Sequence, residues 1–200
     1  MLSLKLIVVP AFLLGLAASP ICAQEASKSQ TDQSSAPAQA VPEAPAAKTT
    51  DVASPDAIMA ATYDVISGPA GQQRDWARFR SLFVADARLI AVGPKKTGTG
   101  FEIHGVSPDG YQKFGDPYFQ KNGFYEREIA RKSERYGNIM HIFSTYESRH
   151  DAKDPQPFAR GINSFQLFYD GTRWWVVTIY WQEESRDVPL PQEYLPAGRQ

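Results

Sequence analysis

The last third of this 200-residue chain restricts its fold most, because it reads as four strands in succession joined by two short turns. The strand-like segments are 124–136, 139–150, 159–169 and 172–183, and the turns are Gly137-Asn138 and Asp170-Gly171. Such pairs between strand-like runs are typical of tight β-hairpin turns. The pattern predicts two antiparallel hairpins, which need further elements to cover one of their faces.

Helical segments precede these hairpins. Ser54-Pro55-Asp56 and Ser107-Pro108-Asp109 each combine an N-cap hydroxyl, a proline at the first helical position and an acid in the first turn. A helix is also predicted from Arg74 to Phe83, with Trp76 among the apolar residues on one side. Segments 86–92 and 101–104 add a small hairpin. This order predicts an α+β fold with helices packed on one face of an antiparallel sheet.

The N-terminal 23 residues have the pattern of a secretory signal peptide. A charged start is followed by an apolar run, residues 6–18, and by small residues up to Ala23. A membrane anchor and a lipoprotein acylated at Cys22 are the alternatives. The apolar run is short for a membrane span, and Ile21 is bulky for a lipoprotein signal. We therefore expect an exported protein, periplasmic or secreted, with no membrane span after cleavage.

Composition divides the remaining chain. Residues 24–53 are rich in Ala, Pro, Ser and Gln and contain no aromatic side chain, so they are predicted to be a disordered linker. Residues 54–186 carry all four tryptophans and every tyrosine but one, and are long enough for one domain with a packed core. Residues 187–200 are predicted to be a proline-rich surface tail.

Several classes of function have no support in the sequence. The formal net charge is −1, whereas proteins that bind a nucleic-acid backbone usually carry a surplus of basic residues. There is one cysteine, no HExxH motif, no Walker loop and no dinucleotide fingerprint. We therefore expect no nucleic-acid partner, no metal and no cofactor.

Several runs of residues, taken in order, resemble nuclear transport factor 2-like (SnoaL-like) proteins, and in particular an uncharacterised exported bacterial branch of that superfamily. The runs are 75–83 with 86–90, 123–129, 136–139, 143–149 and 170–179. The resemblance implies a cystatin-like cone, in which a curved antiparallel sheet wraps around N-terminal helices and encloses a central pocket, often in a homodimer. It does not imply an activity, because this fold carries enzymes and binding proteins alike.

A two-residue turn at Asp170-Gly171 would set the register of the last hairpin. The predicted pairs on one face are Leu167 with Trp174, Phe165 with Val176, Asn163 with Thr178, and Gly161 with Tyr180. This face becomes polar away from the turn, as expected of a core that opens into a pocket. The residues predicted to line the pocket are Tyr63, Trp76, Asn163, Thr178 and Tyr180. The other face would carry Trp175 and Trp181, with Arg160 over Trp181.

The preceding hairpin offers the candidates for acid–base chemistry. A two-residue turn at Gly137-Asn138 would place three pairs on one face: Glu134 with His141, Glu128 with Glu147, and Glu126 with Arg149. Facing carboxylates beside a histidine can acquire separated pKa values. The same pattern also suits a solvated outer face with weak ion pairs. The opposite face, which includes Ile142 and Tyr146, is apolar enough to be the inward one.

Three functions remain open from the sequence. The first is binding of a small apolar or amphipathic molecule. The second is an enzyme of the isomerase, dehydratase or cyclase kind, with His141, Glu147 and Tyr63 as catalytic candidates. The third is a dimeric protein-interaction module that uses the face of Trp175 and Trp181.

Overall fold

A computed structural model describes residues 44–197, which form a six-stranded sheet with helices on one face. The helices are α1 (Thr49–Val52), α2 (Pro55–Ile66), α3 (Trp76–Ser81) and α4 (Pro108–Phe119), and a 3-10 turn spans Gln192–Tyr194. The strands are β1 (Phe83–Pro94), β2 (Phe101–Val106), β3 (Tyr125–Tyr136), β4 (Ile139–Arg149), β5 (Ala159–Tyr169) and β6 (Trp174–Glu183). The predicted signal peptide and most of the predicted linker lie outside the described residues.

The strands are arranged in the order β2-β1-β6-β5-β4-β3, which confirms the predicted α+β fold. Helix α2 contacts both β3 and β6, so the sheet curves around this helix. All neighbouring strands are antiparallel except β1 and β6, which are parallel. The sheet is thus mixed. No tight turn joins β1 to β6, since β2, α4 and β3–β5 lie between them in the chain, and the two strands can therefore run parallel.

The caps predicted for two helices are confirmed. The Ser54 hydroxyl accepts a hydrogen bond from Ala57 N at 3.1 Å, and the Ser107 hydroxyl accepts one from Gly110 N at 3.1 Å. Helix α3 is shorter than predicted, because Asp75 caps it by accepting from Arg78 N at 2.9 Å.

Packing extends beyond both ends of the predicted domain. Before residue 54, Val52 is buried and Asp51 accepts a hydrogen bond from Arg78 Nε at 2.7 Å. After residue 186, the chain returns over the sheet, where Thr145 donates to the Tyr194 carbonyl at 2.6 Å. The Lys132 ammonium lies 4.7 Å from the centre of the Tyr194 ring. The predicted tail is therefore packed against the sheet as far as the structure describes it.

One extra residue, Ile129, changes the register of the β3–β4 hairpin. Glu134 pairs with His141 as predicted, but beyond Ile129 the partners are shifted by one residue. Glu128 pairs with Tyr146 and Glu126 with Ser148, so the predicted pairs with Glu147 and Arg149 are wrong. Because side chains alternate along a strand, this β-bulge moves Glu126 and Glu128 to the other face.

The register of the β5–β6 hairpin also differs from the prediction. The turn has four residues rather than two, because the Asp170 carboxylate accepts from Thr172 N at 2.7 Å and Arg173 N at 2.8 Å. Tyr169 therefore pairs with Trp174. A second extra residue, Val177, lies between the pairs Leu167–Val176 and Gln166–Thr178.

This second bulge decides which β6 side chains face the helices. We call the sheet face covered by helices the inner face and the opposite face the outer face. Ile179 and Trp181 lie on the inner face, whereas Thr178 and Tyr180 lie on the outer face. Trp175 and Trp181 are thus on opposite faces, and the face predicted for an interaction module does not form. Arg160 pairs with Glu184 at 2.7 Å rather than stacking on Trp181.

The core lies between the inner face and the helices. Its fully buried residues come from both layers and include Ile58, Phe79, Phe83, Ile142, Phe165 and Val176. None of the helices within residues 44–197 is long and apolar enough to cross a membrane.

A buried arginine holds the connection between α2 and α3, and its removal should destabilise the fold. Arg74 is 4% exposed and donates at 2.8 Å to each of the carbonyls of Ile66, Gly68 and Gln72. Arg74→Met leaves these carbonyls without their donor, so we expect a loss of about 2–4 kcal/mol in chemical denaturation. Arg186→Met, at an exposed position, is the control. Equal stabilities of the two variants would contradict this role.

Candidate functional site

A cavity of about 200 Å³ lies between the inner face of the sheet and helices α2 and α4. Eight of its seventeen lining residues are aromatic: Tyr63, Phe79, Tyr111, Phe124, Tyr146, Phe158, Phe165 and Trp181. Its polar lining consists of Thr62, Glu126, Ser148, Asn163 and Glu183. The bulges at Ile129 and Val177 create this lining, because they turn Glu126 and Trp181 inward.

Glu126 is the central polar group of the cavity. Ser148 Oγ donates to its carboxylate at 3.0 Å and Asn163 Nδ2 at 3.3 Å. It forms no ion pair with any other residue between 44 and 197. Burial raises the pKa of Glu126 to about 7, and the two neutral donors offset this only in part.

Tyr63 belongs to a hydrogen-bond network that holds Asn163 in place. Asn163 Nδ2 donates to the Tyr63 hydroxyl at 3.1 Å, and that hydroxyl lies 2.7 Å from Ser144 Oγ. Because Ser144 donates its own proton to Glu128, Tyr63 must donate to Ser144. Burial, and then the charge of Glu126, raise the pKa of Tyr63. The Tyr63 hydroxyl therefore donates its hydrogen bond to Ser144 and does not donate one to a ligand.

The network reaches an open cleft on the other side of Tyr63 and Glu126. This cleft has a volume of about 680 Å³ and is lined by α2, β3 and the end of β4. Here Glu128 pairs with Arg131 at 2.8 Å, and Arg131 also pairs with Asp56 at 2.5 Å. The carboxylate of Glu128 is thus neutralised by a guanidinium, unlike that of Glu126.

Two tyrosine hydroxyls on the cavity wall, those of Tyr111 and Tyr146, form no hydrogen bond within the described part of the chain. Their oxygens are accessible, since no enclosed side-chain oxygen or nitrogen there lacks a partner. Tyr146 is only 5% exposed. Burial first, and the charge of Glu126 next, raise the pKa of both hydroxyls. A Cβ atom at Gly161 would lie 2.6 Å from the Tyr146 oxygen and 2.4 Å from the Gln182 carbonyl oxygen, so glycine is required there for Tyr146 to occupy this position.

The structure does not bring the predicted catalytic residues together. His141 lies on the outer face, 3.1 Å from Ser164 Oγ, and its ring packs edge-on against Phe143. Glu147 also lies on the outer face, bound by Arg127 at 2.6 Å and by Arg149. Burial alone would raise the pKa of Glu147, but the hydrogen bonds from Arg149 and Arg127 bring it below its usual range. Only Tyr63 reaches the cavity.

The five residues predicted to line the pocket lie in three different places in the structure. Tyr63 and Asn163 line the cavity. Trp76 lies in the core, where its Nε1 donates to Asp116 at 2.6 Å and its ring stacks on Phe119. Thr178 and Tyr180 lie on the outer face, and Tyr180 is 43% exposed.

Glu126, Ser148 and Tyr111 are cavity residues that the sequence did not indicate. Glu126 was assigned to the wrong partner because nothing near Ile129 marks a bulge. Tyr111 lies in the predicted third helix, but its pattern does not show which side faces the sheet. Tyr146 was expected on the inward face, and the structure confirms this. Residues 44–197 contain no group of three His, Cys, Asp or Glu side chains placed to bind a metal ion.

No protein-family model and no curated protein matches this chain. Solved structures match over much of its length. A candidate ketosteroid isomerase from Parabacteroides distasonis has 10% identity and a TM-score of 0.44, covering 66% of this chain and 89% of its own. A nuclear transport factor 2-like protein of unknown function from Methylobacillus flagellatus has 16% identity and a TM-score of 0.41, covering 66% and 95%.

A candidate scytalone dehydratase from Novosphingobium aromaticivorans also matches, with 14% identity and a TM-score of 0.39, covering 62% of this chain and 81% of its own. These solved structures have the nuclear transport factor 2-like fold, the fold that the sequence resembles. The likeness concerns the fold and not the site.

The position of Glu126 predicts a pH-dependent stability. Its pKa is about 7 in the folded protein and about 4.5 when unperturbed, so the folded state binds this proton more tightly. The resulting stability is present below pH 4.5 and is lost as the pH rises to 7. We expect Glu126→Gln to gain on the order of 2 kcal/mol relative to the wild type across this window.

Thermal unfolding of both proteins between pH 4.5 and 8 measures this difference. Glu134→Gln, which removes an exposed carboxylate from the outer face of β3, is the matched control. A difference between the wild type and Glu126→Gln that does not change with pH would contradict the assignment.

Proposed function

We propose that the domain binds a small, largely apolar molecule in the inner cavity and that Glu126 exchanges a proton with it. The observation that carries the proposal is the carboxylate of Glu126, which lies on the cavity wall without a cationic partner among residues 44–197. A carboxyl group that titrates near neutral pH can both accept and release a proton under ordinary conditions.

Comparison with the neighbouring carboxylates supports this choice of residue. Glu128 and Glu147 are each paired with arginine. For Glu147 the hydrogen bonds from Arg149 and Arg127 hold the pKa below its usual range, which weakens it as a base. The partners of Glu126 are a hydroxyl and an amide, and both are neutral. Glu126 therefore takes the role that the sequence assigned to His141 and Glu147.

The cavity also limits the size of the ligand. An engineered cavity of about 150 Å³ in another protein holds benzene. The cavity here is about 200 Å³, so it suits a molecule with one ring and a small substituent. Its aromatic wall provides the apolar contacts, and Glu126 and Asn163 provide the polar ones.

A single carboxyl group that takes a proton from one atom and returns it to another serves isomerases and dehydratases equally well. The chemistry therefore belongs to the enzyme class that the sequence left open. Binding without reaction uses the same cavity, and the experiment below separates the two.

A separate surface supports a second function, self-association. The outer face near the β2 edge carries three exposed apolar side chains beside Arg88: Phe101 is 50% exposed, Ile103 64% and Tyr180 43%. Register places these three side chains on the same face, since Ile90 pairs with both Gly105 and Tyr180. Exposed apolar patches of this kind are typical of protein interaction sites.

Proton transfer can be tested before the substrate is known. A library of single-ring compounds is incubated with the protein in D₂O and analysed by mass spectrometry for carbon-bound deuterium. We expect the wild type to label one or more compounds and Glu126→Gln to lower that rate at least about 100-fold. Glu134→Gln should label as the wild type does. Binding of compounds without labelling would favour the binding function.

The outer surface predicts a homodimer in solution. Light scattering after size-exclusion chromatography should give twice the mass of one chain for the wild type. Ile103→Lys places a charge in the exposed patch and should shift the protein to the monomer while its far-UV circular dichroism stays that of the wild type. A monomeric wild type at high concentration would contradict the role of this face.

A further inference from the structure

The charges around the inner cavity all have the same sign. Among residues 44–197, its lining contains two carboxylates, Glu126 and Glu183, and no lysine, arginine or histidine. Neither carboxylate forms an ion pair within residues 44–197. The chain has 21 lysines and arginines, and none of those in the described residues neutralises the two carboxylates of the cavity. An ionised carboxylate that loses water without gaining a partner is costly, and a ligand can supply that partner.

The aromatic wall has the same electrostatic character. Eight aromatic side chains line a space of about 200 Å³. The face of an aromatic ring is negative, and ammonium groups bind over such faces within about 6 Å of the ring centre. Rings arranged around a cation form the cages that recognise methylated ammonium groups.

Two polar atoms aimed into the same space complete the set. The hydroxyls of Tyr111 and Tyr146 form no hydrogen bond within the described part of the chain, and their oxygens are accessible rather than enclosed. They come from α4 and β4, and the charge of Glu126 acts on both. An oxygen that has no partner in the protein can accept a hydrogen bond from an amine or turn its negative end toward a cation.

From these three observations we propose that the ligand of the inner cavity is a cation, a small amine or a quaternary ammonium compound with one ring. Its charged group lies between the Glu126 carboxylate and the hydroxyls of Tyr111 and Tyr146. The inference rests on the proposed function in that it uses the same cavity and the same carboxylate.

The cavity opens to solvent beside a carboxylate, which attracts cations. Glu183 and Phe158 both line it, and both are exposed, Phe158 to 45%. A carboxylate at the rim raises the local concentration of cations and steers them inward. An anionic ligand would meet two unpaired carboxylates on the same path.

A matched pair of probes tests the charge directly. Phenyltrimethylammonium and tert-butylbenzene have the same shape and differ in one atom, a positively charged nitrogen against a carbon. Binding of each to the full chain is measured by ligand-detected NMR at pH 8 and low salt. We expect the cation to bind at least about 10-fold more tightly than its neutral isostere.

Variants assign that preference to the cavity. Glu126→Gln should weaken binding of the cation about 10-fold and change binding of tert-butylbenzene less than 2-fold. Glu134→Gln should leave both affinities unchanged. The inference is overturned if the cation binds no more tightly than its isostere, or if Glu126→Gln weakens both probes equally. It is also overturned if acetophenone, a neutral acceptor for the two tyrosine hydroxyls, binds more tightly than the cation.

The result is independent of proton transfer, because phenyltrimethylammonium has no proton that Glu126 could take. Cation binding without deuterium labelling in the earlier screen supports this inference and removes the enzymatic proposal. Deuterium labelling of neutral compounds only, without binding of the cation, would support the proton-transfer proposal and overturn the inference that the ligand is a cation.

Discussion

The extra residue Ile129 in β3 is the constraint on which the site depends. Without it, the alternation of side chains would place Glu126 and Glu128 on the outer face, where Glu147 and Arg149 lie. With it, Glu126 enters a cavity lined by eight aromatic side chains. The bulge at Val177 has the matching effect on β6, where it brings Trp181 to the same cavity. Two irregular pairs in a regular meander thus produce both the polar and the aromatic part of the site.

The network around Tyr63 fixes what the bulges bring in. It joins α2 to β4 and β5 through Ser144 and Asn163, and Asn163 also donates to Glu126. The hydrogen bonds from Asn163 to Tyr63, from Tyr63 to Ser144 and from Ser144 to Glu128 all run in one direction. The amide of Asn163 is therefore held in one orientation. Three glutamates near one another consequently have different electrostatic surroundings. Glu128 and Glu147 each pair with arginine, whereas the partners of Glu126 within residues 44–197 are neutral.

Local features of the structure followed from the sequence, and long-range ones did so only in part. The caps at Ser54 and Ser107 and the turn at Gly137-Asn138 depend on neighbouring residues, and they form as predicted. The Asp170 turn formed at the predicted place but with four residues, because the carboxylate binds two backbone N–H groups beyond it. In the β3–β4 hairpin the predicted register is correct from the turn to the bulge at Ile129. In the β5–β6 hairpin it is wrong from the turn onward and shifts again at Val177. Ile129 and Val177 are ordinary strand residues with no local signal.

The sequence by itself determined the class of the fold, the succession of helices and strands from α2 to β6, and many of the apolar residues of the core. The export predicted from residues 1–23 stays a prediction. Only the tertiary structure decided that Glu126, and not His141 or Glu147, faces the cavity. It also decided that no cationic side chain among residues 44–197 lines the cavity beside its two carboxylates. The reason is physical. Helix caps and turns are satisfied within a few residues, whereas the side to which a strand residue points depends on how far the pairing of whole strands continues without interruption.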